Sequence, residues 1–562
     1  MNNFITCFFV LFISTHLVAQ DLCFPNLGMT STIENAYRQS TTSSVANLIS
    51  NSENLDSVFD GNGSVIFELG FARSIWVGGT DPSGNLKVAA SRYASNPSDY
   101  VPGPIWEGYD DFFRQLALCN FFRRVWTIND DDLRKHLNLF NLGTLVIDDI
   151  PLDILEWPAL GNPYIDEFEI EVDLAPFFDN DGDGSYDPLQ GDYPLALIEN
   201  PTFIPKMFRF YVFNDSNPHQ LSLGTPLNME FQVIDYVVDC PSKQESETSV
   251  FTRLKYTNKG SEDLFDFKIG IWDDTDLGCP SGDFIGCNPN LDASYVYNSM
   301  GEDDQLSCSG IQTVPLNYGV VRSLVLLNRR LESFIHFYNC DIVDPAPQQC
   351  PARFYPEYYS YLNGQWLDGT QITAGGTGFD PSSGDTTSFV FPDLPNNSDG
   401  WSMEATGQLL ADTRTLSVIE AVDLSPGEFG DVDFADHVLL SQTKTGIDIF
   451  EDYEGSINGL KEEFSAMKQG NLNCSLTSTE EIQESLFTLR PNPASDFVDI
   501  GFPVTMSGVL LVHSMQGVLL ESYSLSRVTN FRLPVDDYAT GIYLITFQNS
   551  EGTLSENRFV KQ

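Results

Sequence analysis

The chain has 562 residues, with 79 Asp and Glu against 29 Lys and Arg, a formal charge of −50 and a pI of about 4.1. So acidic a surface repels phosphate backbones and anionic lipid, which excludes nucleic acid as a partner and suits cations. At this length, 42% hydrophobic and 12% aromatic residues suffice for a large core and more than one domain.

Residues 4–12 form an apolar run, and Leu17, Val18, Ala19 and Gln20 follow it as a cleavage region. Residues 1–19 therefore read as a secretory signal cut after Ala19, although Met1, Asn2 and Asn3 supply no basic charge before the run. The run is too short to span a membrane, and no other stretch is long enough, so no transmembrane segment is expected. Cys23 follows Gln20, Asp21 and Leu22, which lack the small residue that precedes a lipid-modified cysteine. Of ten cysteines, nine remain once Cys7 leaves with the signal; in an exported protein they are expected mostly in disulfides. Short spacing nominates Cys279 with Cys287 and Cys340 with Cys350, the odd count leaves one thiol over, and no Cys-x-x-Cys pair suggests zinc.

Residues 20–60 are polar and irregular. Strands are expected at 65–69, 74–79 and 86–91, with a turn at 81–85. Phe113, Leu116, Ala117 and Asn120 give residues 110–126 helical spacing. Asp130, Asp131 and Asp132 precede Leu133, Leu137 and Phe140, and acids at a helix N-terminus suit its dipole, so a second short helix follows.

The most specific local pattern comes next. Asp179, Asp181 and Asp183 alternate, Gly184 follows, and Ser185, Asp187, Gln190 and Asp192 continue the loop. Calcium takes about six to eight oxygen ligands, alternate carboxylates in a tight loop can converge on one point, and glycine permits the turn. In the order of an EF-hand loop the three aspartates hold positions one, three and five, Ser185 offers its backbone carbonyl and Asp187 sits at nine. Position twelve is Gln190 where a bidentate Glu is usual, which makes Asp192 the closing carboxylate. Ala175, Pro176, Phe177 and Phe178 before the loop and Pro188 within it leave no flanking helices, so the expectation is a structural calcium loop at 179–192. The plainer alternative is an acidic solvated turn.

Beyond the loop the period turns to two. Met229, Phe231 and Val233 alternate with Glu230 and Gln232. Thr252, Leu254 and Tyr256 alternate up to a turn at 258–261, and Phe265, Phe267, Ile269 and Ile271 alternate after it, which reads as an antiparallel hairpin with one face buried. Where it ends, Asp273, Asp274, Asp276 and Asp283 form a second acidic group around Gly278, a second candidate metal site or a turn of solvated acids. Further strands are expected at 319–327, 333–338, 386–391, 416–422 and 433–441. Phe450, Tyr453, Ile457, Leu460, Phe464 and Met467 recur every three or four residues, an amphipathic helix that packs against the sheets. The fold expected is mainly β: a large sandwich-like core over 20–470 with a few short helices, a polar linker at 471–485 that contains Cys474, and a small β-sandwich at 486–562.

That last segment carries Pro491, Asn492, Pro493, Ala494, Ser495 and Asp496 at its start and Ser514, Met515, Gln516 and Gly517 at a middle turn. Thr540, Gly541, Ile542, Tyr543 and Leu544 follow, and Phe559, Val560 and Lys561 close it. In this order the motifs resemble the type A C-terminal sorting domain of Bacteroidetes type IX secretion cargo. The resemblance implies export through the outer membrane by the type IX machinery, removal of the tail and attachment at the cell surface. The body is similar to a group of large secreted Bacteroidetes proteins that share the Trp76-Val77-Gly78-Gly79, Gly191-Asp192-Tyr193-Pro194 and Ile271-Trp272-Asp273-Asp274 stretches; that likeness carries over no activity.

Catalytic signatures are missing. The histidines, His16, His136, His219, His336, His437 and His513, form no His-Glu-x-x-His pair, and there is neither a Gly-x-Ser-x-Gly elbow nor a phosphate-cradling Gly-x-x-x-x-Gly-Lys loop. Trp106, Trp157, Trp366 and Trp401 either stack on sugars or pack the core. Two functions follow: a secreted, surface-displayed structural or binding protein stabilised by calcium, whose partner is a glycan or another surface molecule, or a secreted glycan or peptide hydrolase whose carboxylate pair sequence cannot single out.

Overall fold

The computed structural model describes residues 57–59, 65–68, 72–93, 98–105, 121–165, 174–240, 242–278, 282–298, 319–340, 345–408, 411–441, 443–474, 487–514, 519–536, 538–549 and 554–561. The signal, Trp106, most of the expected 110–126 helix, Cys279 and Gly517 lie outside them. The chain divides into two compact units, 1–474 and 475–562.

In chain order the first unit contains β1 (Ala72–Thr80), β2 (Leu86–Ala89), β3 (Val101–Pro102), β4 (Trp126–Asn129), α1 (Asp130–Asn141), β5 (Met207–Asn214), β6 (Met229–Val237), β7 (Ser249–Asn258), β8 (Leu264–Asp274), β9 (Asp283–Asn288), β10 (Ala293–Asn298), β11 (Gly319–Leu326), β12 (Leu331–Tyr338), α2 (Tyr355–Leu362), β13 (Thr413–Leu424), β14 (Phe429–Ser441) and α3 (Phe450–Lys468). The larger sheet runs β9-β10-β11-β14-β7-β6-β5-β3, with β4 also on β5; the smaller runs β12-β13-β8-β1-β2. The pairings are antiparallel throughout.

The expected hairpin of β7 and β8 is not one. β7 pairs with β6 and β14, β8 with β1 and β13, and residues 258–264 carry the chain from one sheet to the other. Alternation reports which face a strand buries and is silent about its neighbour. The corner is held by Asn258, fully buried, whose Nδ2 donates to Glu262 O at 2.9 Å and Leu424 O at 3.1 Å, so it ties this crossing to the β13–β14 crossing beside it.

Both sheets are covered on both faces, which is why polar positions such as Glu230, Gln232 and Asp235 of β6 are buried where one-sided burial was expected. Between the sheets Ile75, Ile271, Tyr211, Val233 and Leu254 meet, and Tyr256 lies 5.6 Å from Phe267. On the far side of the larger sheet α3 buries the six residues its spacing named, with Phe464 stacked 5.7 Å from Phe251. Each such side chain contributes roughly 1.5–3 kcal/mol of burial. On the far side of the smaller sheet α2 sets Tyr358 edge-on to Trp76 at 4.7 Å and Tyr361 over Phe337 at 5.0 Å. α1 begins with its three aspartates and buries Leu133 and His136. Trp126, expected at a helix end, is in β4, its indole fixed by Glu156 O at 2.8 Å.

Two disulfides join described residues. Cys340–Cys350 is formed as its spacing suggested. Cys240–Cys474 spans 234 residues and ties the end of the first unit to the loop after β6, so Cys474 belongs to the body and not to a linker. The expected Cys279–Cys287 bond is corrected: Cys287 is a buried free thiol on β9, its S–H directed to Val390 O at 3.5 Å inside the core.

The second unit is one five-stranded sheet: β15 (Thr488–Arg490), β16 (Phe497–Ser514), β17 (Leu519–Pro534), β18 (Gly541–Asn549) and β19 (Leu554–Lys561), in the order β15-β16-β18-β19 with β17 along β16. Register slips between Gly501 and Gly508 bend the long β16, so its first part pairs with β15 and its last with β18 around a core of Phe487, Phe502 and Phe547.

Candidate functional site

The acidic loop leaves the strand Phe177–Phe178 and returns at Tyr193–Pro194, which pair antiparallel and close its mouth. No α-helix flanks it. Tyr186 anchors the middle: its ring is buried, its OH donates to Ile154 O at 2.6 Å, and its N–H donates to Leu160 O at 2.7 Å. Gly184 holds φ +82°, and Gly191, at φ +94°, presses so close to the Phe140 ring of α1 that a Cβ would overlap it.

Carboxylates organise the backbone between these anchors. Asp179 accepts from the N–H groups of Gly182 at 2.6 Å and Gly184 at 2.9 Å, and those donors hold it below the usual carboxylate range. Asp192, buried, accepts from Asn180 N–H and Asp187 N–H, both at 2.8 Å. Burial raises its pKa, and the charges of Asp179 and Asp181 raise it further. Ligand oxygens of Asp179, Asp181 and Asp192 lie within 4.8 Å of one another. Asp183 and Asp187 stand apart from that group, accepting from Ser185 N–H at 2.7 Å and Leu189 N–H at 2.9 Å. Among the described residues none of the five carboxylates pairs with a Lys, Arg or His side chain, so the hydrogen bonds organise the charge without neutralising it. Converging hard oxygens with no internal counter-charge fit a calcium ion.

The second acidic group separates by strand alternation. Asp273 faces the inter-sheet core, where Arg73 and Arg322 bracket it and Asp436: Arg73 Nε donates to Asp273 at 2.9 Å and Arg322 Nε to Asp436 at 3.1 Å. Burial lifts Asp273 to about 7 against the pull of Arg73. Two guanidinium groups face the two carboxylates of this quartet, and Asp273 is not among the carboxylates whose oxygens converge. Asp283 accepts from Leu277 N–H at 2.7 Å and holds that turn instead. Asp274 and Asp276 remain, joined by Asp412, which spacing gave no reason to select; the three bring ligand oxygens within 4.8 Å. Desolvation raises both Asp274 and Asp276 above the usual carboxylate range, and the charges of their carboxylate neighbours raise them further.

Trp157 and Trp366 are fully buried, donating to Pro176 O and Gly378 O, and Trp401 is half-buried. The histidines of the body are buried as well. His336 lies among the Tyr338, Trp366 and Phe391 rings and is pushed down to about 3 by burial. His219 places Nδ1 2.7 Å from Val88 O and Nε2 3.0 Å from Asp215 O, and both nitrogens can donate only in the imidazolium. Burial opposes that charge, but Asp215 and Asp99 hold the group at about 9.

A groove of about 340 Å³ opens on the larger sheet, with Phe210, Ile234 and Gln232 as floor and Ile198, Lys255 and Phe429 at its rim. Phe429 is 64% and Ile198 56% exposed. Alternation placed Gln232 and Lys255 on strands, Ile198 and Phe429 lay outside the expected ones, and their meeting needed the sheet order.

In the second unit Asn492 Nδ2 donates to Arg558 O and Val560 N–H donates to Asn492 Oδ1, each at 2.9 Å, so the Pro491-Asn492-Pro493 segment clasps the last strand. Ala494 bridges to Lys561, and Tyr543 stacks on Phe559 at 5.4 Å while its OH donates to Ala539 O. The motif residues so converge on one end of one sheet. Residues 488–562 match the family model of the secretion system C-terminal sorting domain. The chain carries the sorting tail of type IX secretion cargo. That tail makes it a secreted cargo protein that engages the type IX machinery, and no helix of the described residues is long and apolar enough to cross a membrane.

No curated protein matches the chain. Solved structures include a polysaccharide lyase, 9% identical over 66% of this chain and 37% of its own, at TM-score 0.18. A putative kojibiose phosphorylase from the human microbiome is 6% identical over 74% and 32%, at 0.24, and CopC from Methylosinus trichosporium OB3b 13% identical over 13% and 90%, at 0.11. The chain thus spans little more than a third of the lyase, and at such scores these likenesses carry no argument.

Proposed function

We propose that this cargo is a cell-surface-displayed binding protein whose body is stabilised by calcium at the 179–192 loop. The observation that carries the calcium reading is the convergence of Asp179, Asp181 and Asp192 with no cationic side chain against them. Asp183, Asp187 and the Ser185 carbonyl complete the loop and hold its shape. Extracellular modules bind calcium with Kd of about 10⁻⁴–10⁻³ M. Calorimetry of the full chain at millimolar calcium should give a higher Tm than in chelator, and Asp181→Asn with Asp192→Asn should reduce the difference. Equal melting temperatures for the unaltered protein with and without calcium would remove the reading.

Binding is favoured over hydrolysis by the groove. Its carboxylates are engaged: Glu199 meets Arg253 at 2.6 and 2.9 Å, and although burial opposes it, Arg253 and Lys468 hold Glu199 at about 2, where it cannot serve as a general acid. An exposed aromatic beside an amide and fixed charges suits a glycan. A glycan array should show binding that Phe429→Ala removes, with no turnover of the bound sugar. Deleting residues 486–562 should retain the protein in the periplasm, and surface appearance of the truncated chain in normal amount would contradict the display.

A further inference from the structure

We propose that Asp274, Asp276 and Asp412 form a second, independent site for a hard divalent cation such as calcium, at the end of the smaller sheet. Asp274 is the last residue of β8 and Asp412 lies just before β13, the strand β8 pairs with; the register sets Asp274 opposite Arg414. Antiparallel pairing thus brings together carboxylates 138 residues apart, and Asp276 joins them from the turn after β8.

Charge is the first argument. Among the described residues the cation bonded to this group is Arg414, with Nη2 3.1 Å from Asp274 and Nη1 on Asp412. With all three ionised, three carboxylates against one guanidinium leave two negative charges, the charge that one divalent ion carries. Two of the three are withdrawn from water, the Asp274 side chain being 1% and that of Asp412 11% exposed, while Asp276 is half-buried. The second argument is an orphaned atom. Asp274 Oδ2 is satisfied, accepting from the Tyr93 OH at 2.5 Å and from Arg414, while its Oδ1 is buried with no hydrogen-bond donor. Buried oxygens of this kind find a partner in folded proteins, and Asp274 brings a carboxylate oxygen within 4.8 Å of those of Asp276 and Asp412, where a cation can bind. Asn339 Nδ2 donates to Asp412 at 2.8 Å and fixes the third carboxylate, as an outer partner does around a metal. Asp273 one residue earlier also leaves its Oδ1 without a donor, but there two guanidinium groups, Arg73 and Arg322, face the charge.

The test is calcium titration of the full chain by calorimetry in a background where the loop is disabled by Asp179→Asn with Asp181→Asn. That protein should retain one calcium equivalent, and adding Asp276→Asn should weaken it by about tenfold or more. Terbium should read the same site, with emission sensitised by Tyr93 and Trp272, whose rings are 5.2 Å apart. The loop variant binding no calcium, or binding unchanged after Asp276→Asn, would overturn the proposal and leave Asp274 and Asp276 sharing a proton. Asp412→Asn serves as the second variant should Asp276→Asn fail to fold, and the loop variant alone decides the first outcome. The unaltered chain binding a single equivalent that the loop variant keeps would count against the loop reading alone.

Discussion

The 179–192 loop and the inter-sheet quartet solve one problem, clustered aspartates, in opposite ways. In the loop the partners are backbone N–H groups, which orient each carboxylate but supply no net charge, so neutralisation is left to a dissolved ion. Between the sheets the partners are the guanidinium groups of Arg73 and Arg322, attached to the chain, and Asp273 and Asp436 need nothing from solution. Where counter-charge is covalent, stability is independent of ion concentration; where it is borrowed, as we propose for the loop, stability should depend on calcium.

Breaking the quartet should have the largest effect. Arg322→Met leaves two buried carboxylates facing Arg73 alone and should cost about 3–5 kcal/mol in urea unfolding, equally with calcium and chelator. A calcium-dependent loss would erase the contrast. Next is the Cys240–Cys474 bond, which closes a 234-residue loop: Cys240→Ser should cost roughly 2–5 kcal/mol by the same measurement. Calcium at the loop follows, stabilising by about 2.7 kcal/mol at a hundredfold excess over Kd, an increment that Asp181→Asn with Asp192→Asn removes and Arg322→Met keeps.

Titration sharpens the comparison at smaller scale. His219 is raised from 6.5 to about 9 in the fold, so its stabilising charge is complete below pH 6.5 and lost as the pH rises through 9. Stability should fall across that window, and His219→Gln should flatten the decline. His336 has the opposite sign: its folded value, near 3, lies below its unfolded one, so its contribution is complete above pH 6.5 and lost as the pH falls toward 3.

Local pattern was informative wherever one element determined its own burial. The three-four spacing from Phe450 to Met467 specifies a helix because one face had to be apolar, and the loop was readable because its donors and acceptors lie within fourteen residues. What depends on the neighbouring strand was not readable. Alternation described β7 and β8 correctly yet implied a hairpin, since a turn and a sheet crossing use the same polar residues. Asp273 and Asp274 looked like one cluster, although adjacent strand residues point to opposite faces, a signal that was available. Asp412 and Cys474 could not be selected at all, since their partners lie 138 and 234 residues away and are set by sheet order.

The Cys240–Cys474 bond also has a mechanical meaning. Residue 474 is where the body ends and the tail's unit begins, so any load on the chain beyond it arrives at a covalent cross-link before it reaches α3. The force passes sideways into the loop after β6, near the middle of the larger sheet, and α3 is spared from unwinding from its C-terminal end. While the bond is oxidised, a cargo drawn or held by its tail is pulled by its sheet.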